Sequence, residues 1–161
     1  MAGWVAVAGL LLVRGTATSS RADDNRDCLI DGEVLRSIDA EQVFAACRRL
    51  AREGDAVAQF NLGVMYQNGQ GAPRDLSEAA RWFRKAADQG YVDAEFNLGI
   101  LLSGGQGVPR DYVQAYMWFS LAAQRDDASA ENRDALARLM TPVQIARGKA
   151  LVAAWKPTTG P

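Results

Sequence analysis

Few residues in this chain are of a type and spacing that does covalent chemistry. None of the 161 residues is histidine, so the commonest general base and the commonest metal ligand are both missing. The two cysteines, Cys28 and Cys47, stand too far apart for the close pairs of a zinc site. Gly69-Gln70-Gly71 and Gly105-Gln106-Gly107 look at first like phosphate loops. Neither is followed by Gly-Lys-Ser/Thr, and neither has the third glycine of a dinucleotide fingerprint, so both read as helix-to-helix turns. The acidic residues are scattered, and no two are placed by sequence as an acid–base couple. The expectation is therefore no catalytic residue, no cofactor and no metal. What remains are side chains that bind by hydrogen bonding and packing, and these depend on the elements that carry them.

Those elements come in duplicate. Shifted by thirty-six residues, Gly54–Gln89 falls on Gly90–Arg125 without a gap, and seventeen of the 36 aligned positions are identical. Phe60-Asn61-Leu62-Gly63 meets Phe96-Asn97-Leu98-Gly99, Pro73-Arg74-Asp75 meets Pro109-Arg110-Asp111, and Trp82-Phe83 meets Trp118-Phe119. A fixed period of this size marks a stacked-repeat architecture.

Each unit reads as two helices. The first, over about Ala56–Gln67, has Ala58, Leu62 and Met65 at helical spacing. Glycines then end it, and Pro73 cannot continue it. Asp75 is a good N-cap, and with Glu78 it makes a capping-box pattern, repeated by Asp111 and Gln114. The second helix, over about Leu76–Asp88, turns Ala79, Trp82, Phe83, Ala86 and Ala87 inward. Trp82 and Trp118 are expected to fill the wedges between helices, with Gly63 and Gly99 as points of close approach.

The pattern A-x-x-x-L-G, G-x-G-x-P-x-D, then A-x-x-W-F-x-x-A-A-x-x-G resembles the Sel-one-like repeat, a relative of the tetratricopeptide repeat. The resemblance implies an all-α, right-handed α-solenoid of antiparallel helix pairs. It also implies an adaptor or scaffold whose groove is lined mainly by the first helix of each unit, and hence a protein or peptide partner whose identity the repeat does not specify. On that helix Asn61 and Asn97 are the first candidate groove residues, since an amide both donates to and accepts from an extended backbone; a structural hydrogen bond is the alternative. Gln59, Tyr66 and Glu95 are further candidates, whereas the once-per-repeat spacing of Phe60, Phe96, Trp82 and Trp118 favours core packing over the alternative of a ligand-stacking ladder. Some relatives bearing the repeat have been linked to β-lactam binding or hydrolysis, but no serine here lies in a Ser-x-x-Lys motif. A structural or regulatory subunit of a larger complex is a third reading.

Around the repeats, residues 23–53 read as a degenerate N-terminal unit. Its helix, over about Ala40–Glu53 and capped by Asp39 with Gln42, is the second helix of a preceding hairpin. Units 54–89 and 90–125 follow. Residues 126–155 form a closing helix pair. There Ala128–Leu139 turns in Ala130, Ala135, Leu136 and Leu139, while Pro142–Trp155, boxed by Thr141 and Gln144, turns in Val143, Ile145, Ala146, Ala150, Leu151 and Ala154. Residues 156–161 are expected to be a frayed tail. Under the repeat shift Cys47 falls on Phe83 and Cys28 on Val64, almost symmetrically about the turn near Pro73. In an antiparallel hairpin these positions face each other, so an exported chain can bond them; the alternative is two separate thiols, with Cys47 a small buried hydrophobe.

Residues 1–22 stand apart. Trp4–Val13 is a short apolar core followed by small and polar residues, as in a secretory signal peptide cleaved after Ala22 or Ala17. It is shorter than the roughly 20 residues of a spanning helix. No Lys or Arg precedes it, a departure from the usual pattern that leaves an N-terminal anchor as the alternative. The expected location is the bacterial periplasm, arginine-over-lysine usage and abundant alanine being typical of a GC-rich genome. The net charge of −1, with no basic cluster, argues against nucleic acid as partner. The expected state is a monomer or weak oligomer.

Overall fold

The computed structural model describes Cys28 and residues 39–158. The N-terminal segment read as a signal peptide and most of residues 23–38 lie outside the described residues. Seven helices follow in order: α1 (Ala40–Arg52), α2 (Ala56–Asn68), α3 (Leu76–Asp88), α4 (Val92–Gly104), α5 (Tyr112–Ala122), α6 (Asp127–Ala137) and α7 (Pro142–Ala154). No strand occurs among the described residues. Neighbouring helices pack in sequence, α1 on α2, α2 on α3, and so on to α5, against which both α6 and α7 lie. This is an all-α repeat fold.

Five of the seven helix starts are made by aspartates, the exceptions being Tyr91 before α4 and Thr141 before α7, and the expected capping boxes need correction. Asp75 accepts from the Ser77 and Glu78 amides, and Asp111 from those of Val113 and Gln114. The reciprocal halves of the expected capping boxes are absent. The cap's own N–H is taken instead by the preceding helix, Asp75 donating to the Tyr66 carbonyl at 2.9 Å and Asp111 to that of Leu102 at 3.0 Å. Glu78 is thereby released to pair with Arg81, and Gln114 accepts from Arg84. At Asp39 the side chain accepts from Glu41. Only Thr141–Gln144 forms a complete box.

Within each hairpin a glycine meets a phenylalanine. A Cβ at Gly63 would lie 2.6 Å from the Phe83 ring, and one at Gly99 would lie 2.7 Å from the Phe119 ring. Phe83 and Phe119 are both fully buried. The expected wedge role of the tryptophans holds for Trp118 alone. Trp82 is half-buried with the Lys85 ammonium 4.3 Å from its ring centroid, whereas Trp118, at the same position one unit later, is covered by Trp155 and by the Arg84 guanidinium.

Between hairpins a second glycine sets the register. Gly71 (φ +69°) abuts Ala40 at the start of α1, and Gly107 (φ +69°) abuts Leu76 at the start of α3. Both members of each pair are related by the same thirty-six-residue shift. Helix α1 thus sits in its unit as α3 does in the next.

The C-terminal helices depart from expectation. In α6, Leu136 and Ser129 are buried, but Ala135 is exposed and Leu139, just past the helix, is 69% exposed. In α7 the inward face is Ile145, Gly148, Val152 and then Trp155; Val143, Ala146, Ala150, Leu151 and Ala154 face outward. The helix has apolar residues on both sides, and Gly148 selects between them. A Cβ there would lie 2.6 Å from Tyr116 on α5, so that face alone permits close approach. Nor is the start of the tail frayed. Trp155 packs edge-on against Trp118, with centroids 6.4 Å apart, and Thr158 donates to the Asp88 carbonyl through N–H (2.7 Å) and hydroxyl (3.0 Å).

Candidate binding face and repeat seams

The five candidate groove residues divide by burial. Gln59, 5% exposed, donates through Nε2 to the Ala51 carbonyl at 3.1 Å and accepts from Gln89 Nε2 at 2.8 Å; Gln89 also donates to the Gly54 carbonyl at 3.0 Å. Asn61 is buried and donates to the Cys28 carbonyl at 2.6 Å. Glu95 is fully buried, its Oε1 3.4 Å from Arg125. Burial pushes its carboxyl up to about 7 against the opposing pull of Arg125. These three residues fasten neighbouring segments and offer nothing to a partner. A buried amide needs partners within the protein, and the seams between units supply them. Tyr66 is half-buried, edge-on to Phe44 at 5.2 Å. Asn97 is half-buried and donates to the Asp93 carbonyl of its own helix at 2.7 Å.

A cleft lies elsewhere. Ser103 and Gly104 at the end of α4, Tyr112 and Phe119 of α5, and Asn132, Ala135, Leu136 and Leu139 from α6 and its end enclose about 270 Å³. The floor is apolar, and Ser103 and Asn132 supply polar groups. This volume is below the range usual for a whole drug-sized ligand and suits a side chain or two of a larger partner. The sequence signal was the four-residue spacing of Ala135 and Leu139, which periodicity assigns to a face but not to a buried or an open one. Among the described residues no cluster of three His, Cys, Asp or Glu could hold a metal ion, and no helix is long and apolar enough to cross a membrane.

The model of the Sel1 repeat family matches residues 56–91 and 92–127. The chain carries two Sel1 repeats. Among solved structures, it is similar to c5321, a protective antigen present in uropathogenic Escherichia coli strains and displaying an SLR fold. The TM-score is 0.76 at 32% identity, over 84% of this chain and 30% of that one. It is also similar to a Sel1 repeat protein from Oxalobacter formigenes, with TM-score 0.65 and 32% identity over 76% of this chain and 51% of that one. The chain thus spans about a third and about half the length of these two proteins. No curated protein matches it in sequence. Sel1 repeats generally mediate protein interactions.

Ahead of the two Sel1 units, Cys28 and Cys47 are joined by a disulfide with Cα atoms 4.8 Å apart. Both are buried. One unit later the two positions are those of Val64 and Phe83, and the bond ties Cys28 to α1. The Asn61 bond to the Cys28 carbonyl then ties the same residue to α2. A loop of this length restricts the unfolded chain by about 3 kcal/mol. Melts with and without reductant are expected to differ by that amount, and Cys28→Ala with Cys47→Ala is expected to melt at the lower temperature regardless of reductant.

Proposed function

We propose that this Sel1-repeat chain is a protein-binding adaptor of the periplasm or cell envelope, and that the cleft between α4, α5 and α6 receives an apolar side chain of a partner segment. The cleft carries the reading. Leu139 stands 69% exposed at its rim, where a large apolar side chain gains by being covered. Export is supported by the N-terminal sequence pattern and by the Cys28–Cys47 bond, since structural disulfides persist in oxidising compartments. Hydrolysis has no comparable support. Ser103, the hydroxyl in the cleft, donates to the Ile100 carbonyl of its own helix, and no Asp, Glu, Lys or Cys lines the cleft to activate it.

The test is a crosslinking capture from native envelopes with the full chain, compared with Leu139→Asp. Because Leu139 is exposed, the variant is expected to fold normally and to lose a specifically captured protein by about tenfold, equivalent to about 1.4 kcal/mol. Identical capture by both chains would move the binding face away from the cleft. Recovery in the cytosolic fraction would overturn the location.

A further inference from the structure

Two successive seams of the stack are fastened by different chemistry at equivalent positions. Under the thirty-six-residue shift Gln59 corresponds to Glu95, Gln89 to Arg125 and Ala51 to Ala87. In the first seam the Ala51 carbonyl accepts from the Gly54 amide and again from Gln59 Nε2. In the second, the Ala87 carbonyl accepts from the Gly90 amide at 2.8 Å. The side chain in Gln59's place is now a carboxyl, which has no N–H to offer. Its Oε1 meets Arg125 at 3.4 Å, and its Oε2 is buried without a hydrogen-bond partner. Native proteins seldom leave such an atom unsatisfied. One proton on Oε2 would turn it into a donor like the Gln59 amide.

We propose that Glu95 is a proton-operated fastener of the second seam. With a proton on Oε2 it donates to the Ala87 carbonyl, as Gln59 does to Ala51, and releases Arg125. With the proton lost to solvent it holds Arg125, and through it the connection into α6. Glu95 is fully buried, while the Arg125 side chain is 52% exposed and can turn to water. Burial lifts the carboxyl to about 7, so both forms are populated near neutrality.

Other charged groups on the packed elements are engaged elsewhere or exposed to solvent. Helix α5 carries no charged side chain. On α3, Arg81 pairs with Glu78, Lys85 lies over the Trp82 ring, and Arg84 lies over Trp118 and donates to Gln114. Asp88 at its end feels Arg84. In the connection after α5, Asp126 caps Ser129. On α4 itself Asp93 is exposed, and Lys156 in the tail is exposed. The switch acts next to the cleft, because Arg125 immediately precedes the Asp126 cap of α6, the helix that supplies Asn132, Ala135 and Leu136.

The experiment is a pH titration of the full chain with ¹³C-labelled glutamate and ¹⁵N-labelled arginine side chains, read by NMR. One glutamate carboxyl is expected to titrate near 7, with the Arg125 Nε resonance and the α6 amides moving at the same midpoint. In Glu95→Gln that carboxyl signal should vanish, and Arg125 should keep its low-pH position throughout. In Arg125→Gln the midpoint should rise, since the opposing positive charge is gone. Glutamates all titrating below about 5.5, close to unperturbed values, would overturn the proposal. So would a glutamate titrating near 7 that Arg125 does not follow. The wild-type titration decides the matter even where a variant fails to fold.

Discussion

Gly107→Ala is expected to lower the melting temperature by more than about 10 °C and to populate partly unfolded chain at 37 °C. The residue sits at φ +69°, and the added Cβ would press into the Leu76 backbone at the start of α3. The left-handed angle alone costs an alanine about 1–2 kcal/mol. The clash adds about 1–3 kcal/mol, because the opposing atoms are backbone held by the Asp75 cap and cannot turn aside. The sum is a large part of the 5–15 kcal/mol that holds a typical domain. Gly105→Ala is the control. It has the same kind of angle, φ +68°, but its Cβ would stand 3.1 Å from Arg110 Cβ, and it should cost only about 1–2 kcal/mol. Thermal melts by circular dichroism compare the two. Equal shifts would show that the angle matters and the contact between units does not.

Raising the pH from 4.5 to 7 is expected to cost the wild-type chain about 3 kcal/mol of stability through Glu95. The sign follows from linkage. Its carboxyl is lifted from 4.5 to about 7 in the folded chain, so in that window the folded state binds more protons than the unfolded state, and stability falls as pH rises. Each unit is worth about 1.4 kcal/mol, and the loss is complete above the folded value. Asp88, also raised by burial, adds in the same direction at the acid end. Asp75 and Asp126 act oppositely, their carboxyls lowered by capping bonds from Ser77 and Ser129, but they act below the window. Denaturant unfolding at several pH values should therefore show Glu95→Gln gaining on the wild type as pH rises, by about 3 kcal/mol at pH 8. A constant difference between the two chains would mean that Glu95 does not titrate in this window.

Much of the fold was readable because the chain repeats. Helix α3 has the bounds that its caps and apolar spacing predict, and α2 ends one residue later than expected. Gly63 and Gly99 could be picked out as close approaches because helical glycine is unfavourable without a packing reason. The groove candidates were harder. Gln59, Asn61 and Glu95 are polar residues on the expected helix, and nothing local tells a partner's amide from one that ties two units together. Their bonding groups, the Ala51 and Cys28 carbonyls and the Arg125 guanidinium, lie 8, 33 and 30 residues away. The direction of α7 was likewise hidden, since apolar residues stand on both its sides.

The sequence by itself determined the repeating unit, its period and its stop and start signals, because these rest on residues within one helix or one turn of each other. Tertiary structure alone decided which face of α7 is covered, where a cleft stays open beside α6, and how Thr158 comes to bond Asp88 across 70 residues. It also decided that a carboxyl would occupy an amide's place in the second seam with one oxygen unmet. Those outcomes depend on how close two helices can come, and that distance is set by the side chains of both at once, Gly148 and Tyr116 being the plainest case.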